Sequence, residues 1–118
     1  MAVTLPSAAP IDAVTAALMA AGDVFNEERR SYARERRAVI AANAELRERE
    51  LIKMASLASA IADALRRRGV SDPAASLTAE AGIAVFRVTF DRWVDKASDQ
   101  DWRALARGSL EELKGLVS

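Results

Sequence analysis

Apolar residues recur three and four positions apart along most of this chain, which is the spacing of one face of an α-helix. The repeat is clearest over residues 44–68 and is also present over 10–25, 73–96 and 99–116. Only five glycines and three prolines interrupt it, and no run of β-branched or aromatic residues alternates with polar ones as in a strand. The pattern therefore predicts an all-α fold, a bundle of about five helices.

Strong stop and start signals separate two of these helices in the middle of the chain. Arg66 to Arg68 fall in the last turn of the segment 44–68 and Gly69 follows, so cations meet the last carbonyls and glycine ends the helix. Asp72 can then cap the next helix, and Pro73 suits its first turn. The short connection favours antiparallel packing in a bundle.

The composition excludes several classes of protein. The chain has no Cys and no His, which removes thiolate chemistry, the commonest general base and the commonest metal ligand. Lys plus Arg equals Asp plus Glu at 17 each, so the net charge gives no general reason to bind nucleic acid or an acidic membrane. No apolar run approaches the roughly 20 residues of a membrane span. We expect a cytoplasmic, non-enzymatic protein without a cofactor or metal.

The segment 73–95 is apolar over more than half of its circumference. Glu80, Arg87, Asp91 and Asp95 form its single narrow polar stripe on a helical wheel. A surface helix of a small monomer usually has a narrower apolar face. One half of the apolar arc is made of small side chains and the other half is bulky, with Ile83, Phe86, Phe90 and Trp93. The helix is therefore expected to pack in two directions.

Two interpretations of this helix remain open. The first, which we favour, places one half against the chain's own core and the other against a second copy; the second makes it the central helix of a compact monomer.

Gly108 lies inside the last helix, where Gly costs about 1 kcal/mol relative to Ala; close helix contact or a local irregularity would explain it. Ser98 or Asp99 is expected to cap that helix. Trp93 and Trp102 flank the turn and are expected either to pack together or to be buried across a dimer. The predicted dimer interface comprises Ala75, Thr78, Gly82, Val85, Thr89, Trp102, Leu105, Leu110 and Leu113.

The order of these segments resembles the C-terminal regulatory domain of TetR-family transcriptional repressors. The resemblance covers residues 11–117, of which residues 36–94 read RRAVIAANAELRERELIKMASLASAIADALRRRGVSDPAASLTAEAGIAVFRVTFDRWV. In such proteins a charged helix leads to an Asn-Pro-Glu-Leu-Arg type of turn, which here reads Asn43 to Arg47 with Ala44 in place of Pro. A long helix ending in Leu65 to Gly69, an Ala-rich helix ending near Trp93 and a closing amphipathic helix follow.

The resemblance implies a function and a division of the chain. Residues 10–118 would be a regulatory domain behind a flexible arm, residues 1–9. The last two helices, 73–96 and 99–116, would pair with their copies in a homodimer, and the earlier helices would enclose a pocket for a small, largely apolar effector. Such regulators bind DNA through an N-terminal helix-turn-helix domain, which is not in these 118 residues. We therefore expect a fragment rather than a stand-alone relative.

Candidate pocket residues lie on the inward faces of four predicted helices. Tyr32 and Arg36 are four positions apart, on one helix face, and together offer a hydroxyl and a guanidinium to a polar or acidic ligand. The alternative is that the apolar candidates are ordinary core and Arg36 is solvated. The full set of candidates is Leu18, Phe25, Tyr32, Arg36, Met54, Leu57, Ile61, Phe86 and Phe90.

The charged segment 27–37 is the remaining conspicuous feature. Its five arginines are interleaved with glutamates and point several ways around a helix, so we interpret them as a solvated face with internal ion pairs rather than a nucleic-acid site. The glutamates at 45, 48 and 50 lack the His partners of a metal-binding bundle. Two rival functions stay open: a structural dimerisation module without an effector pocket, and an enzyme, which a buried carboxylate pair in a polar cleft would indicate.

Overall fold

Five α-helices make up a computed structural model that describes residues 9–118. The helices are α1 (Pro10–Ala20), α2 (Glu27–Ala41), α3 (Ala44–Arg67), α4 (Ala74–Val94) and α5 (Trp102–Val117), and a short 3₁₀ turn, Ala21–Asp23, follows α1. No strand occurs within the described residues. The prediction of an all-α bundle of about five helices is confirmed. The predicted arm, residues 1–9, lies outside the described residues except for Ala9.

The junction between α3 and α4 follows the stop and start signals of the sequence. Gly69 has a φ of 98°, in the left-handed region that glycine adopts without strain. Arg66 donates two hydrogen bonds to the Asp72 carboxylate, at 2.9 and 3.2 Å, and Asp72 accepts the N–H of Ser76 at 3.2 Å. Hydrogen bonds from Arg66 and Ser76 hold the pKa of Asp72 below its ordinary value. The N-cap position of α4 is Pro73 and the helix begins at Ala74, so the predicted cap, Asp72, lies one residue too early. Asp72 instead accepts the Ser76 N–H of the first turn from just outside the helix, and its pair with Arg66 links α4 to α3.

The start of α5 differs from the sequence prediction. Asp101 is its cap, accepting a hydrogen bond from the N–H of Ala104 at 2.9 Å. Ser98 and Asp99, the predicted caps, lie in the preceding turn, where the Ser98 N–H donates to the carbonyl of Asp95 at 3.0 Å. The prediction was wrong because three acceptable capping residues lie close together, and the path of the turn decides among them.

The helix α4 is the centre of the bundle and contacts each of the other four helices. Its small-residue face meets α1: a Cβ built on Gly82 would lie only 2.6 Å from Cγ1 of Val14. Val85, one turn further along, joins Val14 and Leu18 in a buried cluster with Leu110 of α5. Glycine at position 82 therefore lets the backbones of α1 and α4 approach closely.

The residues predicted for a dimer interface lie mostly inside the single chain. Seven are buried: Ala75, Gly82, Val85, Thr89, Trp102, Leu105 and Leu110. The other two, Thr78 and Leu113, are half-buried, and Leu113 packs against the cluster of Val14. The chain's own α1 packs on the small-residue face of α4 at Gly82 and Val85.

We predict that Gly82→Ala lowers the free energy of unfolding by about 1–2 kcal/mol. Overpacking against Val14 costs about 1–3 kcal/mol and outweighs a gain in helix propensity of up to about 1 kcal/mol. Chemical denaturation followed by circular dichroism measures the effect. In the Gly82→Ala background, Val14→Ala should cost less than it does alone, because it removes the clash. Strictly additive costs would contradict the close contact.

Candidate functional site

A cleft of about 660 Å³ opens between α2, α3 and α4. Aromatic side chains from the end of the α1–α2 connection and from α4 lie along it, namely Phe25, Phe86, Phe90 and Trp93. Ile40 of α2 with Leu51 and Met54 of α3 continue the apolar lining. The volume falls within the 300–1,000 Å³ typical of small-molecule sites, which are mostly apolar with a few polar groups.

Phe25 organises the aromatic side chains on this side of the bundle. Its ring centroid lies 5.7 Å from that of Phe86, 5.9 Å from Phe90 and 5.5 Å from Trp93. It also stacks on Trp102 at 4.4 Å. These separations and angles are those of favourable aromatic pairs, so the cluster provides a firm wall for the cleft.

Trp93 and Trp102 pack together, which confirms one of the two predicted arrangements. Their rings meet edge to face at 5.8 Å, and the Trp102 indole N–H donates to the carbonyl of Leu18 at 2.8 Å. Both are buried within the chain. The indole N–H of Trp93, by contrast, has no hydrogen-bond acceptor among residues 9–118.

Ion pairs cross the cleft from α2 to both of its other walls. Arg36 meets the Glu50 carboxylate of α3 at 3.1 Å, and Lys53 shares the same oxygen at 3.2 Å. Arg37 meets Asp91 of α4 at 3.0 Å. Burial opposes ionisation of Glu50, but hydrogen bonds and charge from Lys53 and Arg36 outweigh it and hold its pKa below the ordinary value. Glu50 therefore remains an anion at neutral pH.

Six of the nine predicted pocket residues line this cleft: Phe25, Tyr32, Arg36, Met54, Phe86 and Phe90. Tyr32 lies at its mouth with 67% of its surface exposed. The other three candidates are elsewhere. Leu18 is buried in the cluster with Val14, Ile61 packs against that cluster, and Leu57 is exposed on α3.

Three arginines of α2 bind the C-terminal end of α4 and the connection that follows it. Arg30 donates to the carbonyls of Ser98, at 3.1 Å, and Gln100. Arg34 donates to the carbonyl of Val94 at 2.9 Å. Arg37 is the third, through its pair with Asp91, and we call Arg30, Arg34 and Arg37 the arginine ladder.

The arginine ladder corrects our interpretation of segment 27–37 as a solvated face. Arg30 is only 5% exposed, and its guanidinium lies 5.4 Å from the centre of the Trp93 ring. It keeps one intrahelical ion pair, to Glu27 at 2.8 Å. The spacing of Arg30, Arg34 and Arg37, four and three positions apart, is that of one helix face and was the signal available in the sequence.

The cleft therefore offers the groups that bind a ligand, an apolar wall with charged side chains at its edge. Its two carboxylates, Glu50 and Asp91, are each paired with a cation rather than with one another. Within residues 9–118 no three acidic side chains converge as they would around a metal ion. In the same part of the chain, no helix has the length and apolar character needed to cross a membrane.

The fold and cleft together define a class, the all-helical domains that enclose a ligand-sized space between helices. A comparison with protein families identifies one family within that class: the family described as the MftR C-terminal domain matches residues 8–117. The chain therefore belongs to this family of TetR-type C-terminal regulatory domains, and the resemblance drawn from its sequence is confirmed. Such domains are generally non-enzymatic. A comparison with curated proteins found no match.

We predict that Arg30→Met lowers the free energy of unfolding by about 2–3 kcal/mol, because the carbonyls of Ser98 and Gln100 lose a charged, buried donor. Urea denaturation of the purified chain measures the loss. Arg49→Met is the matched control: Arg49 is exposed on α3 and outside the cleft lining, so its change should stay within about 0.5 kcal/mol. Equal effects of the two variants would contradict a structural role for Arg30.

Proposed function

We propose that this chain is the regulatory domain of a TetR-family transcriptional regulator, which binds a small-molecule effector in the cleft between α2, α3 and α4. The observation that carries the proposal is the 660 Å³ cleft with its aromatic wall, in a chain that belongs to a family of regulatory domains. TetR-family regulators are typically cytoplasmic homodimers that bind DNA through an N-terminal domain, and this chain would share these properties.

Effector binding would be coupled to the rest of the domain through α2. A ligand in the cleft contacts α2 and α4 together, and the arginine ladder of α2 holds the end of α4 and its connection to α5. A ligand shifts a protein between two arrangements only if it binds one more tightly. A change in the separation of α2 and α4 would therefore be transmitted to α5.

The exposed face of α4 supports homodimerisation through the last two helices. Leu77, Ala81, Ala84 and Val88 are four, three and four positions apart and form one apolar stripe on the outer side of α4. Leu77 and Val88 are exposed, at 65% and 50% of their surfaces. This stripe, rather than the small-residue face covered by α1, is the surface of α4 that a second copy could reach.

The outer side of α5 supports the same arrangement. Within the described residues, a Cβ built on Gly108 or Gly115 would meet no atom within 4 Å apart from its chain neighbours and the adjacent backbone of α5 itself. Ala104 is half-buried one turn before Gly108, on the same side of the helix. A glycine in a helix interior, such as Gly108, costs about 1 kcal/mol, and close approach of a partner helix would account for it. The rival function, dimerisation without an effector pocket, is less favoured because the cleft is open.

We predict that Val88→Glu converts a dimer into a monomer, because it places a charge in the centre of the proposed contact. Light scattering after size exclusion, over a concentration series, would move from about twice 12.7 kDa to 12.7 kDa. Val39→Glu is the matched control, a similarly exposed valine on α2. A wild-type monomer at every concentration, or equal loss of the dimer in both variants, would contradict this interface.

A further inference from the structure

The charges around the cleft are unbalanced, although the chain as a whole is neutral. The sequence contains 17 basic and 17 acidic residues. The cleft lining contains two acidic residues, Glu50 and Asp91, and six basic ones. The basic residues are Arg29, Arg36, Arg37, Arg47, Lys53 and Arg87. Positive charge is therefore concentrated where the apolar wall is open to a ligand.

The two carboxylates are already engaged by cations of the cleft. Glu50 is shared between Arg36 and Lys53, and Asp91 is paired with Arg37. The remaining cations have no acidic counterpart: among residues 9–118, neither Arg29 nor Arg87 forms an ion pair, and Arg47 donates to the carbonyl of Ala41. A neutral ligand would leave these positive charges without a partner, whereas an anionic group would form charge-assisted hydrogen bonds with them.

The position of the cations favours a small ligand over an extended polymer. They come from all three helices that form the cleft, α2, α3 and α4, and line it together with Phe25, Phe86 and Phe90, instead of following one face of a single helix. Clefts lined by one sign of charge beside low-dielectric walls concentrate small ions of opposite charge. The wall would hold an apolar body while the rim held a charged head.

We infer that the cleft binds an organic anion, with an apolar or aromatic body against Phe86 and Phe90 and an anionic head among the arginines at its rim. The inference rests on the proposed effector cleft and adds the charge class of the ligand. Arg29 and Arg87, which have no carboxylate partner in the described chain, are the cations available without breaking an ion pair. Arg36 and Lys53 become available when Glu50 is neutralised.

Two fluorescent probes test the inference on the full chain. 1-Anilinonaphthalene-8-sulfonate and N-phenyl-1-naphthylamine share an aromatic body, and only the first carries an anionic group. We expect the sulfonate probe to bind about tenfold more tightly at low salt, and the difference to shrink as salt rises. The double variant Arg29→Gln, Arg87→Gln should lose most of that difference while its affinity for the neutral probe is unchanged. Arg49→Gln should bind both probes as the wild type does.

Glu50→Gln provides the opposite change. It releases Arg36 and Lys53, so the sulfonate probe should bind several-fold more tightly, and the neutral probe should be unaffected. Circular dichroism confirms that each variant is folded. Equal affinity for both probes, with both lost in Phe86→Ala, would overturn the anion inference and leave the proposed effector cleft standing. Absence of saturable binding of either probe would overturn the inference and the proposed function together.

Discussion

The close approach of Val14 to Gly82 is the contact on which the arrangement of this bundle depends. Because position 82 has no side chain, α1 packs directly on α4, and Val85, Leu18 and Leu110 complete a buried cluster behind the contact. α1 then occupies the small-residue face of α4. The bulky face, with Phe86 and Phe90, is left to form the wall of a cleft that α2 and α3 complete.

The second constraint is the need to satisfy the carbonyls where α4 ends. The last carbonyls of a helix have no partners within it, and here side chains from another helix supply donors. Arg34 donates a hydrogen bond to the carbonyl of Val94, and Arg30 donates to those of Ser98 and Gln100. The Arg30 guanidinium also lies over the Trp93 ring. The helix that forms one wall of the cleft is therefore also the helix that holds the α4–α5 connection. Arg37, which lines the cleft and pairs with Asp91 of α4, belongs both to the cleft and to the arginine ladder.

The helices and their order could be predicted from the sequence because periodicity and the residues that start and stop helices are local signals, although the exact capping residue was not. Gly69 and Asp72 illustrate this, since each is read within one turn of its neighbours. Which element packs against a given helix face, by contrast, is not decided by neighbouring residues in the sequence. The small face of α4 was expected to meet a second copy because an apolar arc shows that a surface is covered without showing by what. Leu18 and Ile61 turned out to be core, and Phe86 and Phe90 to line a cleft, for the same reason: all four are apolar at helical spacing.

Whether a ligand occupies the cleft rather than binding elsewhere on the bundle can be measured at two methionine methyl groups. Met54 lines the cleft, whereas Met19 packs against the buried clusters around Val14 and Trp93. With ¹³C-labelled methionine methyl groups, titration with N-phenyl-1-naphthylamine should shift the Met54 resonance saturably and leave that of Met19 in place. A shift at Met19 alone, or saturable binding that moves neither resonance, would contradict the assignment of this cleft as the effector site.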